Sequence, residues 1–190
     1  MRKYSHLGKG LVSFLALFLV SCESFIPDPV DPRLSMYTEK GLNVSSALVN
    51  DRAWKAEPDF FAGWGFGLLP NHDLTYQPLN DTLFLEMKGK RDSTPAAITF
   101  IFTKLGITNL QDMNQFRDRK FSIDGKTISA TYNSIPAGEG QIYFKHVQAN
   151  DSTAVLSGTF GFTTHNPVLK VSYGRFDIRI RKEVNFRVKN

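Results

Sequence analysis

The sequence reads as an all-β protein, an antiparallel β sandwich or flattened barrel threaded by meander hairpins. Three observations point there. Apolar residues recur at every second position through most of the chain, the repeat of a half-buried strand. The runs are rich in Val, Ile, Thr and Phe, residues that suit a pleated surface. Between them fall short turn signals such as Asn50-Asp51 and Asp124-Gly125, at the spacing of consecutive hairpins.

Two segments precede the strands. Arg2, Lys3 and Lys9 lead into the apolar run Leu11–Val20, and Ser21 and Cys22 follow. A positive start, an apolar stretch of about 7 to 15 residues and a small residue before the cut make a secretory signal. The stretch is shorter than the roughly 20 apolar residues of a permanent membrane span. Leu19-Val20-Ser21-Cys22 has the pattern of a bacterial lipobox, so residues 1–21 are expected to be removed and Cys22 to carry acyl chains. Two or more chains anchor stably where one is marginal. Cys22 is the one cysteine, and its acylation leaves no thiol for disulfide, metal or nucleophile chemistry. Pro27, Pro29 and Pro32 follow among acidic and apolar residues, a density that favours an extended tether. Residues 22–35 therefore read as lipidated cysteine and tether, and 36–190 as a single domain.

Removing the signal also changes the charge. Loss of Arg2, Lys3 and Lys9 lowers the formal net charge from +5 to +2, so the pI of 9.3 belongs partly to the signal. A nucleic-acid partner loses its electrostatic support.

The strands follow in order. Leu83, Leu85 and Met87 alternate with Phe84, Glu86 and Lys88, then Ile98, Phe100 and Phe102 alternate with Thr99, Ile101 and Thr103. Ile142 and Phe144 continue the pattern, and Leu156, Gly158, Phe160 and Phe162 set an inward face opposite Ser157, Thr159 and Gly161. Leu169, Val171 and Tyr173 set an odd-numbered inward face, whereas Phe176, Ile178 and Ile180 set an even-numbered one. One extra residue in a bulge at Gly174 accounts for that change of parity. The even pattern resumes at Val184, Phe186 and Val188, leaving Arg175, Asp177, Arg179 and Arg181 toward water. Asn50-Asp51, Asp124-Gly125, Asn150-Asp151 and His165-Asn166-Pro167 mark turns, with Asp124-Gly125 the strongest signal for a type I′ hairpin. A single short helix is expected around Asn109–Phe116, capped by Thr108.

Val49-Asn50-Asp51-Arg52-Ala53-Trp54-Lys55-Ala56, Ser157-Gly158-Thr159-Phe160-Gly161-Phe162 and Tyr173-Gly174-Arg175-Phe176-Asp177 together resemble a family of uncharacterised Bacteroidetes lipoproteins known by a domain-of-unknown-function label. The resemblance spans roughly residues 44 to 181 and implies an antiparallel β domain with no established activity. Where that family usually has Asn-Gly, this chain has Asn50-Asp51. A Bacteroidetes setting further implies short O-glycan acceptor motifs at Asp81-Thr82-Leu83, Asp92-Ser93-Thr94 and Asp151-Ser152-Thr153, with Ser93 and Ser152 favoured because both sit in predicted loops.

Chemistry-bearing residues are sparse. His72, His146 and His165 are the histidines of the mature chain, and no two stand at i, i+2 or i, i+4, so neither a metal site nor a cofactor is expected. His72 reads as a loop residue, His165 as a turn residue and His146 as a strand residue. No serine sits in a Gly-x-Ser-x-Gly elbow, and the carboxylates Asp51, Glu57, Asp59 and Glu86 carry no spacing that sets a catalytic separation. An aromatic concentration remains at Trp54, Phe60, Phe61, Trp64 and Phe66. It reads either as core or as a platform in which Trp54, Phe61, Trp64 and Phe66 present flat rings to a sugar or a partner protein. The basic end, with Arg175, Arg179, Arg181, Lys182, Arg187 and Lys189, reads as a solvated strand face or as a surface for anionic headgroups or acidic polysaccharide.

The expected protein is a lipid-anchored component of the cell envelope, at the outer membrane with the side left open. It is expected to act without catalysis, as a binding or accessory module for a glycan or protein partner. A lipocalin-like carrier of a small apolar ligand and an envelope hydrolase are the alternatives. A deep apolar pocket favours the first of these, a carboxylate or histidine cleft the second, and a shallow aromatic surface favours the binding module.

Overall fold

Hairpin turns close the chain into a ring. The computed structural model describes residues 28, 29, 31–56 and 71–189, together with the backbone of 59–60 and 68–69. The strands are β1 (Val44–Val49), β2 (Arg52–Ala56), β3 (Asp59–Phe60), β4 (Leu68–Leu69), β5 (His72–Gln77), β6 (Thr82–Arg91), β7 (Thr94–Thr103), β8 (Arg119–Ile123), β9 (Ile128–Tyr132), β10 (Ile135–Ala149), β11 (Thr153–Thr164), β12 (Lys170–Arg181) and β13 (Phe186–Val188). Pairing runs β6-β2-β1-β12-β11-β10-β9-β7 and returns through β7–β6. The fold is thus all-β, and its body is a closed eight-stranded antiparallel barrel with extra strands. Of the two expected architectures, the barrel is the one observed. β8 pairs with β10, β5 pairs with β6, and β13 adds to β5 in parallel.

Three two-residue turns build the barrel without glycine. Asn50 and Asp51 (φ 47° and 60°), Asp92 and Ser93 (50° and 68°), and Asn133 and Ser134 (47° and 65°) all lie in the left-handed region. Asn and Asp tolerate that region better than other side chains. Asp124-Gly125 works differently from the expected type I′ turn, since only Gly125 has positive φ (69°). Instead, Asp124 Oδ1 accepts from the amides of Lys126, Thr127 and Ile128 at 2.8–3.0 Å, holding a wider loop.

The interior is filled by the residues that alternation placed there. Leu83, Leu85, Met87, Ile98, Phe100, Phe102, Ile142, Phe144, Leu156, Phe176, Ile178 and Ile180 are all buried. Phenylalanine rings meet one another through the middle, with Phe100–Phe160 centroids 5.4 Å apart and Phe144–Phe176 5.3 Å apart. A 3-10 helix, Gln111–Phe116, stands where the short helix was expected and pushes Met113 and Phe116 into one end. Its cap is not Thr108. Asp112 gathers the Thr108 and Asn109 amides, and Asn109 Oδ1 accepts from the Asp112 amide. Asn114 and Arg117 fasten this plug to β10 through the backbone of Ala149 and Val147.

An N-terminal strap crosses the outside of the barrel, over β1, β12 and β11. Leu34 and Ser35 are buried in it, so the packed body begins ahead of residue 36. Asp177, expected to face water, is instead covered by the strap and 2% exposed. It accepts from the Ser157 hydroxyl at 2.7 Å, the Gly41 amide at 2.7 Å, the Lys40 and Leu42 amides at 3.3 and 3.2 Å, and the Thr38 hydroxyl. A buried carboxylate is tolerated where such donors surround it. Arg175 and Arg179, also expected to face water, donate to the strap carbonyls of Ser35 (3.0 Å) and Lys40 (2.9 Å).

The C-terminal alternation also ends earlier than expected. Val184 and Val188 are exposed, because the chain turns at Lys182–Asn185 rather than continuing β12. Asn185 is buried there and donates from Nδ2 to the carbonyls of His72 (2.8 Å) and Arg179 (3.2 Å), hooking β13 onto β5.

Candidate functional site

The parity change in β12 creates the most distinctive surface of the described residues. β12 carries one extra residue relative to both neighbours, between Phe160 and Phe162 of β11 and between Ser46 and Leu48 of β1. The bulged residue is Tyr173 rather than Gly174, with φ 53°. A bulky side chain in the left-handed region is strained. Tyr173 was expected inward, whereas it is turned outward and 69% exposed. Gly174 serves a different purpose, since a Cβ there would stand 2.4 Å from the Phe160 ring. Its hydrogen lets Phe160 fill the barrel beneath the turned-out tyrosine.

Beside Tyr173 an open groove of about 870 Å³ runs over the outer faces of β8, β10, β11 and β12. Its floor is low because small residues sit in register. Gln141 lies between Ser122 of β8 and Gly161 of β11, and Thr159 and Thr163 flank Gly161. Lys170, Arg175 and Glu139 supply charge at its margins, and Ser172 adds a hydroxyl. Such a surface offers a flat ring, hydroxyl and amide donors and acceptors, and charged groups of both signs, with Arg175 paired to Asp28. It holds no pairing of nucleophile with base.

The strap forms one boundary of the groove. Arg175 donates to the Asp28 carboxylate and to Ser35 O while also lining the groove. Further along the strap, Glu39 lies 3.7 Å from Lys145 Nζ and 3.6 Å from His146 Nδ1. Lys145 sits 5.0 Å over the Tyr37 ring, and burial followed by the hydrogen bond to Glu39 raises the Tyr37 pKa.

A serine and a histidine do meet elsewhere. Ser45 Oγ is 3.0 Å from His72 Nε2, and both residues are 0% exposed inside the barrel. His72, expected in a solvated loop, is a β5 residue whose burial drives its pKa down to about 3. Its Nδ1 has no hydrogen-bond partner among the described residues. A substrate cannot reach a pair sealed in this way, so its role is packing. His165 stands in the exposed β11–β12 loop, where its ring lies over Gly138.

The residues singled out in the sequence are scattered. Trp54 is fully buried, and its indole Nε1 donates to Ala96 O at 3.0 Å, so it belongs to the core and not to a binding platform. Cys22, Phe61, Trp64 and Phe66 lie outside the described residues. Ser93 and Ser152 are exposed at the tips of the β6–β7 and β10–β11 hairpins. Gln141, Ser122 and Tyr173 were not read as site residues. The available signal was the shift from odd to even apolar positions across Gly174, which locates a bulge without saying which side chain it turns out. Compared with protein-family models, curated proteins and solved structures, the chain matches none of them.

Proposed function

We propose that this protein is a lipid-anchored component of the bacterial cell envelope that acts without catalysis, as a binding module for a glycan held in the Tyr173 groove. The exposed, strained Tyr173 carries the reading. Strain of about 1–3 kcal/mol at a surface residue marks functional positions more often than packing positions, and an aromatic ring in the open suits the apolar face of a sugar. Gln141, Ser122 and Ser172 supply the hydrogen-bonding groups that fix a polyol. The anchor rests on Leu19-Val20-Ser21-Cys22 and its charged, apolar approach, in keeping with the resemblance to envelope lipoproteins. The location proposed is the outer membrane, and protease shaving of intact cells reads the side.

The test is an oligosaccharide array probed with the mature protein and with Tyr173→Ala. Saturable binding that the variant loses supports the reading, and binding unaffected by Tyr173→Ala overturns it. One observation favours a second reading: the closed eight-stranded antiparallel barrel is compatible with a lipocalin-like carrier. Such a carrier would need space among the central phenylalanines, and saturable uptake of N-phenyl-1-naphthylamine would reveal it.

A further inference from the structure

Asp28, the first described residue, sits at the rim of the groove, held by Arg175, which itself lines the groove. Arg175 also takes the Ser35 carbonyl, whereas Arg33 donates to Asp51 O at 2.9 Å, beside Asn50, whose Oδ1 accepts from the Lys170 amide at 2.8 Å. The loop from Asp28 to Ser35 therefore lies alongside β12 between the levels of Arg175 and Lys170. Lys170 stands at the other end of the groove, and its ammonium group makes no ion pair among the described residues. Glu139 faces Thr163, which in turn faces Lys170, so that carboxylate stands two strand spacings away, about 10 Å at the backbone. The groove thus has a paired cation at one end, an unpaired one at the other, and the exposed Tyr173 ring between them.

The sequence ahead of Asp28 matches that layout. From Arg175 back to Lys170 is five residues of β12, about 16 Å at the rise of a strand. From Asp28 back to Glu23 is also five residues, about 16 Å in the polyproline form that Pro27 and Pro29 favour. Glu23 thereby falls at the level of Lys170. The polyproline form has three residues per turn, so Phe25 shares a face with Asp28 and falls about 9 Å from it, at the level of Ser172 and Tyr173. Opposite charges meet at both ends, and an aromatic ring meets the exposed ring between them.

We propose that residues 23–27 of the tether lie along β12 in the groove, with Glu23 on Lys170 and Phe25 against the Tyr173 ring, and that a ligand must displace them to bind. This rests on the groove being the glycan site, and it gives that site a built-in competitor. Surface ion pairs and a single ring contact are individually weak. A segment joined to the rim at Asp28, however, acts at an effective concentration in the millimolar range, so weak contacts suffice. A tether docked about four-fifths of the time weakens apparent ligand binding about fivefold.

The experiment treats the full chain, matured in cells and kept in detergent micelles, with a water-soluble carbodiimide, which joins a carboxylate to a lysine amine in contact with it. A crosslink between Glu23 and Lys170 within one chain is expected by peptide mass mapping, with its yield reduced about fivefold in Phe25→Gly. Absence of that crosslink overturns the proposal, as does coupling of Glu23 to Lys40, Lys120 and Lys145 as readily as to Lys170. Coupling found only between two chains also overturns it, since the segment then lies on a second copy. Oligosaccharide binding is measured on the same two proteins, and Phe25→Gly is expected to bind about fivefold more tightly. Equal binding by both proteins despite the crosslink overturns the competition and leaves the glycan reading of the groove standing. The crosslink with no oligosaccharide bound by either protein separates the two readings the other way, upholding the docked tether and removing the glycan.

Discussion

Ser157 and Asp177 face each other in register across β11 and β12, and the Ser157 hydroxyl donates to Asp177 Oδ1 at 2.7 Å. The pair lies on the outside of the barrel yet is sealed from water by the strap. Asp177 thereby joins three parts of the chain: the strap backbone at Lys40–Leu42, β11 and β12. Removing its carboxylate leaves several buried donors without an acceptor, each costing about 1–3 kcal/mol. Asp177→Ala is expected to lower stability by about 3 kcal/mol in urea unfolding and to expose the strap to protease. Asp177→Asn, which keeps one acceptor oxygen, should lose less. Equal stability of Asp177→Ala and wild type would show that the strap is not held here.

His72 makes stability depend on acid. Its pKa falls to about 3 because burial disfavours the charged ring, whereas an unfolded histidine titrates near 6.5. The depressed folded value means that the unfolded state binds the extra proton first. This contribution is therefore fully present above about pH 6.5 and is lost, at about 1.4 kcal/mol per pH unit, as pH falls from there toward 3. Urea midpoints measured from pH 7 to pH 4 should show this slope, and His72→Met should flatten it. An unchanged slope in the variant would mean that His72 is not the group responsible.

Trp54 is expected to act through stability alone. Trp54→Phe breaks the indole bond to Ala96 O and leaves a gap, costing about 2 kcal/mol. Gly89 touches the same ring: an added Cβ would lie 2.8 Å from Trp54 Cε2 and 2.3 Å from Lys55 O. Gly89→Ala should therefore destabilise by about 2–3 kcal/mol through overpacking and backbone shift. Thermal melts of both variants, set beside array binding of each, check this. A loss of binding without loss of stability in Trp54→Phe would return that residue to a site.

The barrel interior was legible in the sequence because a strand repeats every two residues. Leu83, Leu85 and Met87, and Ile98, Phe100 and Phe102, stand inward as the alternation requires. The Asn50-Asp51 turn was legible too, since its residue types tolerate positive φ. What alternation could not show was a second covering layer. Ser157, Asp177, Arg175 and Arg179 sit at outward positions, and the polar pattern there is the same whether water or a strap lies above. Nor could it show Tyr173, whose outward turn depends on Phe160 occupying the space over Gly174. His72 was misplaced because a His-Asp pair after a proline resembles a loop, and only its strand partner Met87 reveals the inward face.

Tyr173 itself should separate binding from folding. Its ring is mostly exposed and its backbone is in a region that glycine occupies freely. Tyr173→Gly removes the strain at the expense of greater freedom in the unfolded chain, so stability should stay within about 1 kcal/mol of wild type. Ligand binding should nevertheless be lost. A large fall in the melting temperature would instead make Tyr173 a structural residue.

The groove as the binding surface is tested most directly by amide hydrogen exchange with and without an oligosaccharide selected on the array. Protection is expected at 159–163 of β11 and 170–175 of β12, with β7, opposite β12 in the ring, unchanged. Protection confined to β7 and to the plug at 111–116, with none on β11 and β12, would contradict a site on the outer face and place the ligand inside the barrel.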